Sequence, residues 1–297
     1  MKRESVFVSL LLVAALLIPA TRVAARADGA VQGDLGDETQ PAESDVTGLQ
    51  QKFRFPEDAR PASLFGIDVS HHQGEIDWSR VSEQSVVFAY VKATQGSTQI
   101  DRQFIGHWQS LEKQGNIFRG AYHFMSAVAD PTEQATNFLE TLGETTSADL
   151  PPCLDLEWDY ETKHGALVRN NNGLPIDRWA RLSPDEVVDR ALVWLKAVEA
   201  KTGKRPIVYT NSRWWKARIK DRKELAGYRL WIADYGGDSL RSEAPWVPDG
   251  FEWVFWQITN RGVLSTGGVR GRVDANYYRG THADFVKEFG LSGDVVR

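Results

Sequence analysis

The sequence predicts an α/β protein folded as an irregular (β/α) barrel, TIM-barrel-like, with its last strands lacking regular helices. Two observations lead there. From Leu64 onward, short strand-type runs alternate with helical ones, which is the pattern of parallel βαβ units. About seven or eight such runs over roughly 230 residues suit one closed barrel better than two small domains. The helical periods then thin out after Tyr235, so the barrel is expected to close without full helices there.

The elements follow in order. Lys2 and Arg3, the apolar run Val6 to Ile18 and the triplet Ala25-Arg26-Ala27 read as an export signal over 1–27, because the run is too short to span a bilayer. Residues 28–62 are rich in Asp, Glu, Gly, Gln, Ala and Pro and cannot bury enough apolar surface to order themselves, which makes them a flexible leader. A catalytic barrel is expected over 63–290, with a tail at 291–297. Its strand candidates are Phe65–Val69, Val86–Lys92, Phe118–Phe124, Pro152–Glu157, Pro206–Thr210, Arg229–Ala233, Trp253–Ile258 and Arg272–Tyr277. Helices are expected at Arg102–Gln114, Thr132–Leu142 and Pro184–Lys201, the last capped by Ser183 with Pro184 in the first helical position. Gly262 to Tyr278 reads as a hairpin turning at Gly267-Gly268. The stretch Glu161–Leu182 has no period, and Asn170-Asn171-Asn172-Gly173 marks it as turn-rich.

Composition narrows the function. Hydrophobic residues at 42% and charged residues at 25% are ordinary for a globular chain. A net charge of −5 argues against a nucleic-acid partner, which calls for a basic footprint. The eleven tryptophans are expected mostly to fill the core. Cys153 is the only cysteine, so no internal disulfide holds the fold, and its expected role is that of a small buried thiol. His71-His72 has no metal-ligand spacing around it, and no metal or other cofactor is expected. Ser70 lacks a nucleophile elbow.

The chemistry centres on Asp155 and Glu157 in the run Leu154-Asp155-Leu156-Glu157-Trp158-Asp159. On a strand, residues two apart share a face, so two carboxyls stand together and one is disposed to hold its proton. A glycosidase needs such a proton for the leaving oxygen. Solvated acids at a strand end, or half of a metal site, would read the same way. Other strand candidates also end in polar or aromatic groups: Asp68, Tyr122 with His123, Tyr209, Asp234 with Tyr235, and Gln257, while Asp274 lies in the last strand. Functional groups gather at the C-terminal strand ends of parallel barrels, so these residues describe an acidic, aromatic-lined cleft.

Ordered fragments then supply a resemblance. Phe65-Gly66-Ile67-Asp68-Val69-Ser70-His71-His72-Gln73-Gly74, Phe88 to Gly96, Gly120-Ala121-Tyr122-His123-Phe124, Leu154 to Glu157, Leu230 to Tyr235, Trp256-Gln257 and Val273-Asp274-Ala275-Asn276 run in order over most of the chain. In these the chain resembles glycoside hydrolase family 25, the lysozymes typified by fungal and bacteriophage muramidases. The resemblance implies hydrolysis of the β-1,4 bond between N-acetylmuramic acid and N-acetylglucosamine in peptidoglycan glycan strands. It implies Glu157 as general acid, Asp155 as the group that orients or polarises the substrate's acetamido group, and Asp68 and Asp274 as the rest of the acidic floor. Tyr122 would position the reacting sugar, with His123, Tyr209, Asp234, Tyr235, Gln257 and Trp158 as further substrate contacts. The expected protein is an exported monomer, periplasmic or extracellular, with no membrane anchor once the signal is cleaved. Glu161–Leu182 is longer than such a barrel requires and is expected to wall one end of the cleft. A glycosidase for another N-acetylated glycan such as chitin, or a non-catalytic glycan-binding barrel, are the alternatives, and the presence of all four acids weighs against the second.

Overall fold

The computed structural model describes residues 64–235 and 244–292. The expected export signal over 1–27 and the expected leader over 28–62 both lie outside the described residues. Eight strands close the barrel: β1 (Leu64–Val69), β2 (Val86–Gln95), β3 (Phe118–Phe124), β4 (Cys153–Asp155), β5 (Ile207–Asn211), β6 (Leu230–Ala233), β7 (Trp253–Gly262) and β8 (Val273–Tyr278). Strands β1 to β7 follow one another in parallel. Strand β8 runs the other way and fits between β7 and β1, completing the ring.

Helices cover the outside where the sequence carries a helical period. They are α1 (Trp78–Ser82), α2 (Phe104–Gln114), α3 (Pro131–Leu142), α4 (Pro184–Thr202), the short α5 (Ser212–Arg218) and α6 (His282–Phe289). Ser183 and Glu186 form a reciprocal capping box on α4, Pro184 needs no donor at the first position, and Gly203 ends the helix in the left-handed region. Helix α3 begins one residue ahead of the expected Thr132, because Asp130 caps it and Pro131 opens it. No helix separates β7 from β8. Their link is a hairpin whose Gly268 packs against α1, where a Cβ would lie 2.7 Å from the Asp77 carbonyl oxygen.

Two layers of apolar side chains result. Outside the strands, Trp179, Trp194, Trp214 and Phe138 fill the space under the helices, and eight of the eleven tryptophans are buried, as core residues should be. Inside the barrel, Phe88, Tyr90, Trp231 and Phe255 pack ring on ring. Gly66 and Gly120 make room for that stack, since a Cβ at either would lie 2.3 Å from the ring of Phe88 or Tyr90. Helix α6 plugs one end: Phe285 sits 5.5 Å from Phe88, 5.5 Å from Phe118 and 5.0 Å from Tyr278. The packed unit continues past the expected boundary at 290. Leu291 is buried in this plug, and the Ser292 N–H donates to the Ser147 carbonyl. With one end filled by aromatics, only the other can admit a substrate.

Candidate active site

At the open end the strands deliver a cleft lined by Asp68, Lys92, Tyr122, Phe124, Asp155, Glu157, Tyr209, Trp231, Gln257 and Asp274. Seven of the residues singled out from sequence therefore meet in one place: the four acids with Tyr122, Tyr209 and Gln257. The expected strand Pro152–Glu157 is shorter than its sequence suggests. It ends at Asp155, and Glu157 sits in a bend beyond it. The Leu156 N–H still donates to the Tyr209 carbonyl at 2.9 Å, which carries the strand's course far enough for both carboxyls to line the cleft.

Asp68 and Asp274 are direct cross-strand partners on β1 and β8. Like charges opposite one another disfavour the pairing, so the fold must offset them. Amide donors do so. Gln257 Nε2 donates to Asp68 Oδ2 at 2.9 Å, and Asn276 Nδ2 donates to the same oxygen at 2.6 Å. The orientation of both amides is fixed by their other partners. Trp231 Nε1, which can only donate, reaches Asn276 Oδ1 at 2.8 Å. The Tyr209 hydroxyl donates to Gln257 Oε1 at 2.9 Å, and the Tyr235 hydroxyl donates to it as well. Burial, then the charges of Asp274, Asp68 and Glu157, pushes the Tyr235 hydroxyl well above the ordinary range. Burial does the same to Tyr209, so both phenols keep their protons and remain donors.

Four expected contacts fall elsewhere. His123 is wholly buried on the outer face of β3, since neighbours on a strand point to opposite sides and Tyr122 takes the inner one. Its Nδ1 meets Thr94 Oγ1 at 2.7 Å and its Nε2 meets Gln134 Oε1 at 3.2 Å, while its ring stacks on Trp194. Burial lowers its pKa to about 3, so it is a neutral core residue. Trp158 and Asp234 line an adjoining cavity instead, together with Tyr235, which reaches the acid cleft only through Gln257.

Lys92, Trp231 and Asn276 were not singled out from the sequence. Lys92 had a legible signal, a lysine inside the apolar run Val86–Ala93, where an ammonium is rare unless it faces charge. It is almost fully buried and donates to Gln95 Oε1 at 2.9 Å. Cys153 lies beneath Asp155 on the same strand face, and burial pushes its thiol well above the ordinary range, which suits packing rather than attack.

The stretch expected as a loop is an ordered arm. Tyr160 bridges Asp177, Thr162–Lys163 pairs with Ala166–Leu167, and Arg169 bridges Pro175. Two buried carboxylates pin its root. Asp159 accepts from the Ala127 N–H at 2.8 Å and from Arg178 at 2.8 Å, and Asp177 accepts from Arg218 at 2.7 Å. Tyr160 on this arm has its phenol pushed up to about 12 by burial first, then by the Asp177 and Glu157 charges.

Comparison with known proteins agrees with this geometry. Residues 67–267 match the family model "Glycosyl hydrolases family 25". The chain is 34% identical over 232 residues to protein YegX of Escherichia coli K12, covering 74% of this chain and 72% of that one. It is 32% identical over 230 residues to lysozyme M1 of Streptomyces globisporus, covering 76% of this chain and 71% of that one. The crystal structure of a lysozyme from Streptomyces coelicolor superimposes with a TM-score of 0.64 at 31% identity, covering 78% of this chain and 98% of that one.

Proposed function

This chain belongs to glycosyl hydrolase family 25, and on that footing we propose that it cleaves the β-1,4 bond between N-acetylmuramic acid and N-acetylglucosamine in peptidoglycan, with Glu157 as the general acid. As a member of this lysozyme family it is a glycoside hydrolase. The observation that carries the finer reading is the convergence of Asp68, Asp155, Glu157 and Asp274, from separate parts of the chain, on one cleft with Tyr122 and the protonated Tyr209.

In this reading Glu157 hands its proton to the glycosidic oxygen as the bond to the anomeric carbon breaks. The acetamido oxygen of the same sugar closes on that carbon, and Asp155 polarises the acetamido N–H to help it. Water then opens the ring intermediate, with the Glu157 carboxylate taking the water's proton. Asp68 is committed as an acceptor of two amide N–H groups, so its role is to hold charge and orient sugar hydroxyls. Tyr122 and Asp274 complete the seat of the reacting sugar.

The test is Glu157→Gln, which removes the transferable proton with little change in volume. Turnover should vanish while thermal unfolding and glycan binding persist, and mass spectrometry of peptidoglycan digests should find reducing-end muramic acid only with the unaltered protein. Near-normal activity in the variant would refute Glu157 as the acid. The reading also places the protein outside the cytoplasm, on the strength of residues 1–27. Amino-terminal sequencing of exported material should then begin near Asp28, and an intact Met1 terminus would refute export by cleavage.

A further inference from the structure

The arm from Trp158 to Leu182 builds one side of a cavity of about 600 Å³ beside the acid cleft. That is within the roughly 300–1,000 Å³ of sites that take a small ligand. The two spaces are neighbours: Trp158 directly follows Glu157, and Tyr235 lines the cavity while donating to Gln257 in the cleft. A substituent on a sugar bound at the acids therefore has this cavity next to it.

The lining selects the kind of substituent. Sugars bind on open aromatic faces, but here the Trp158 ring is already stacked on Tyr160 at 6.2 Å and 5°, with the Arg218 guanidinium 5.5 Å from its centroid. The remaining wall mixes aliphatic residues with polar ones, Asn170, Asn211 and Ser212 among them. Leu174, Pro175, Ile176 and Ala180 line it, and Leu174 is 61% exposed, a large apolar residue held towards water by an ordered arm. The charges are of both signs: Arg218 pairs with Asp177 at 2.7 Å, Asp234 accepts the Trp246 N–H, and the exposed Arg213 lies at the rim. Alkyl surface with charges of both signs complements a short peptide better than a bare sugar or a polyanion.

We propose that this cavity receives the short peptide carried by muramic acid, so that the enzyme reads peptide-bearing strands in preference to bare ones. The proposal rests on the peptidoglycan reading above. Its test compares strands bearing their peptides with the same strands stripped by an amidase. The unaltered protein should show kcat/KM about ten-fold higher on the peptide-bearing strands, the scale of one good charge-assisted contact. In the double variant Leu174→Asp, Arg213→Ala that preference should disappear through KM, with bare strands affected less than about two-fold. Equal turnover of both strands by the unaltered protein, or equal loss on both in the variant, overturns the proposal. Calorimetry with the released peptide separates it from the catalytic reading. Saturable binding that the double variant loses supports the cavity even if neither strand is cleaved, a result that would sink the muramidase reading alone. No binding at millimolar peptide overturns the cavity proposal whatever the turnover.

Discussion

Gln257→Glu is the sharpest test of the hydrogen-bond chain behind the acids. The change is nearly isosteric and leaves Oε1 able to accept from Tyr209 and Tyr235. It replaces the Nε2 donor, 2.9 Å from Asp68 Oδ2, with an oxygen that can donate only when protonated. Two carboxylates at that separation repel by about 6 kcal/mol at an effective dielectric of 20, equivalent to about 4 pKa units. Side-chain rotation and the donor from Asn276 reduce this, and about 2–4 kcal/mol is the working figure. The folded protein escapes by keeping a proton on the pair, so the pair's folded pKa lies above the unfolded value of about 4.3. Stability is then fully present below about pH 4 and falls as pH rises through the raised folded value, because the folded state binds the extra proton. Urea unfolding from pH 4 to 8 should show the variant close to the unaltered protein at pH 4 and about 2–4 kcal/mol less stable by pH 7.5. Parallel curves across that range would refute the Gln257–Asp68 contact as the arrangement that holds the acidic floor.

Two further perturbations address the fold. The buried His123, lowered to about 3, makes the unfolded chain bind one more proton than the folded one between about pH 6.5 and 3, so its share of stability is lost as pH falls through that window. His123→Gln should make the pH slope of unfolding shallower by about 1.4 kcal/mol per unit between pH 6 and 4, and an unchanged slope in urea titrations would contradict its neutral burial. Gly120→Ala places a methyl group 2.3 Å from the Tyr90 ring inside the barrel and should destabilise by about 1–3 kcal/mol or more, read as a lowered melting temperature. An unaffected melting temperature would mean that the aromatic stack is not packed as described.

Much of this was legible because local signals agreed with the global fold. Strand-type runs separated by capped helices give parallel units, and the loss of helical period after Tyr235 coincides with the strands that join without helices. The acids were legible because each ends or adjoins such a run. What failed was phase. Tyr122-His123 reads as one polar pair, but the face of each depends on which side of β3 looks inward, and that is decided by the packing of Gly120 against the ring of Tyr90 on the neighbouring strand β2. Glu161–Leu182 lacks a period because its order comes from single bridges and from two buried carboxylates, interactions that leave no repeat in the sequence. Asn276 and Trp231 escaped notice for a related reason, since one amide or indole among apolar neighbours gives no hint of its partner.

The reversed strand explains why the site looks as it does. On the parallel strands β1 and β4 the acids lie at or near the C-terminal end, Asp68 and Asp155, as parallel barrels require. Strand β8 enters from the opposite direction, so the end that reaches the same rim is its beginning, and Asp274 is its second residue. A parallel strand here would bring its C-terminal end to the rim instead. With the reversal, Asp274 is set by direct pairing opposite Asp68, and two residues further along the same strand Asn276 can donate to Asp68 while accepting a hydrogen bond from Trp231 Nε1. The indole cannot accept, so the polarity of the chain Trp231–Asn276–Asp68 has one sense only, and Gln257 supplies the second donor under the control of two tyrosines. The hairpin that joins β7 to β8 without a helix thus sets Asp274 opposite Asp68 on one rim, where amides hold the Asp68 carboxylate.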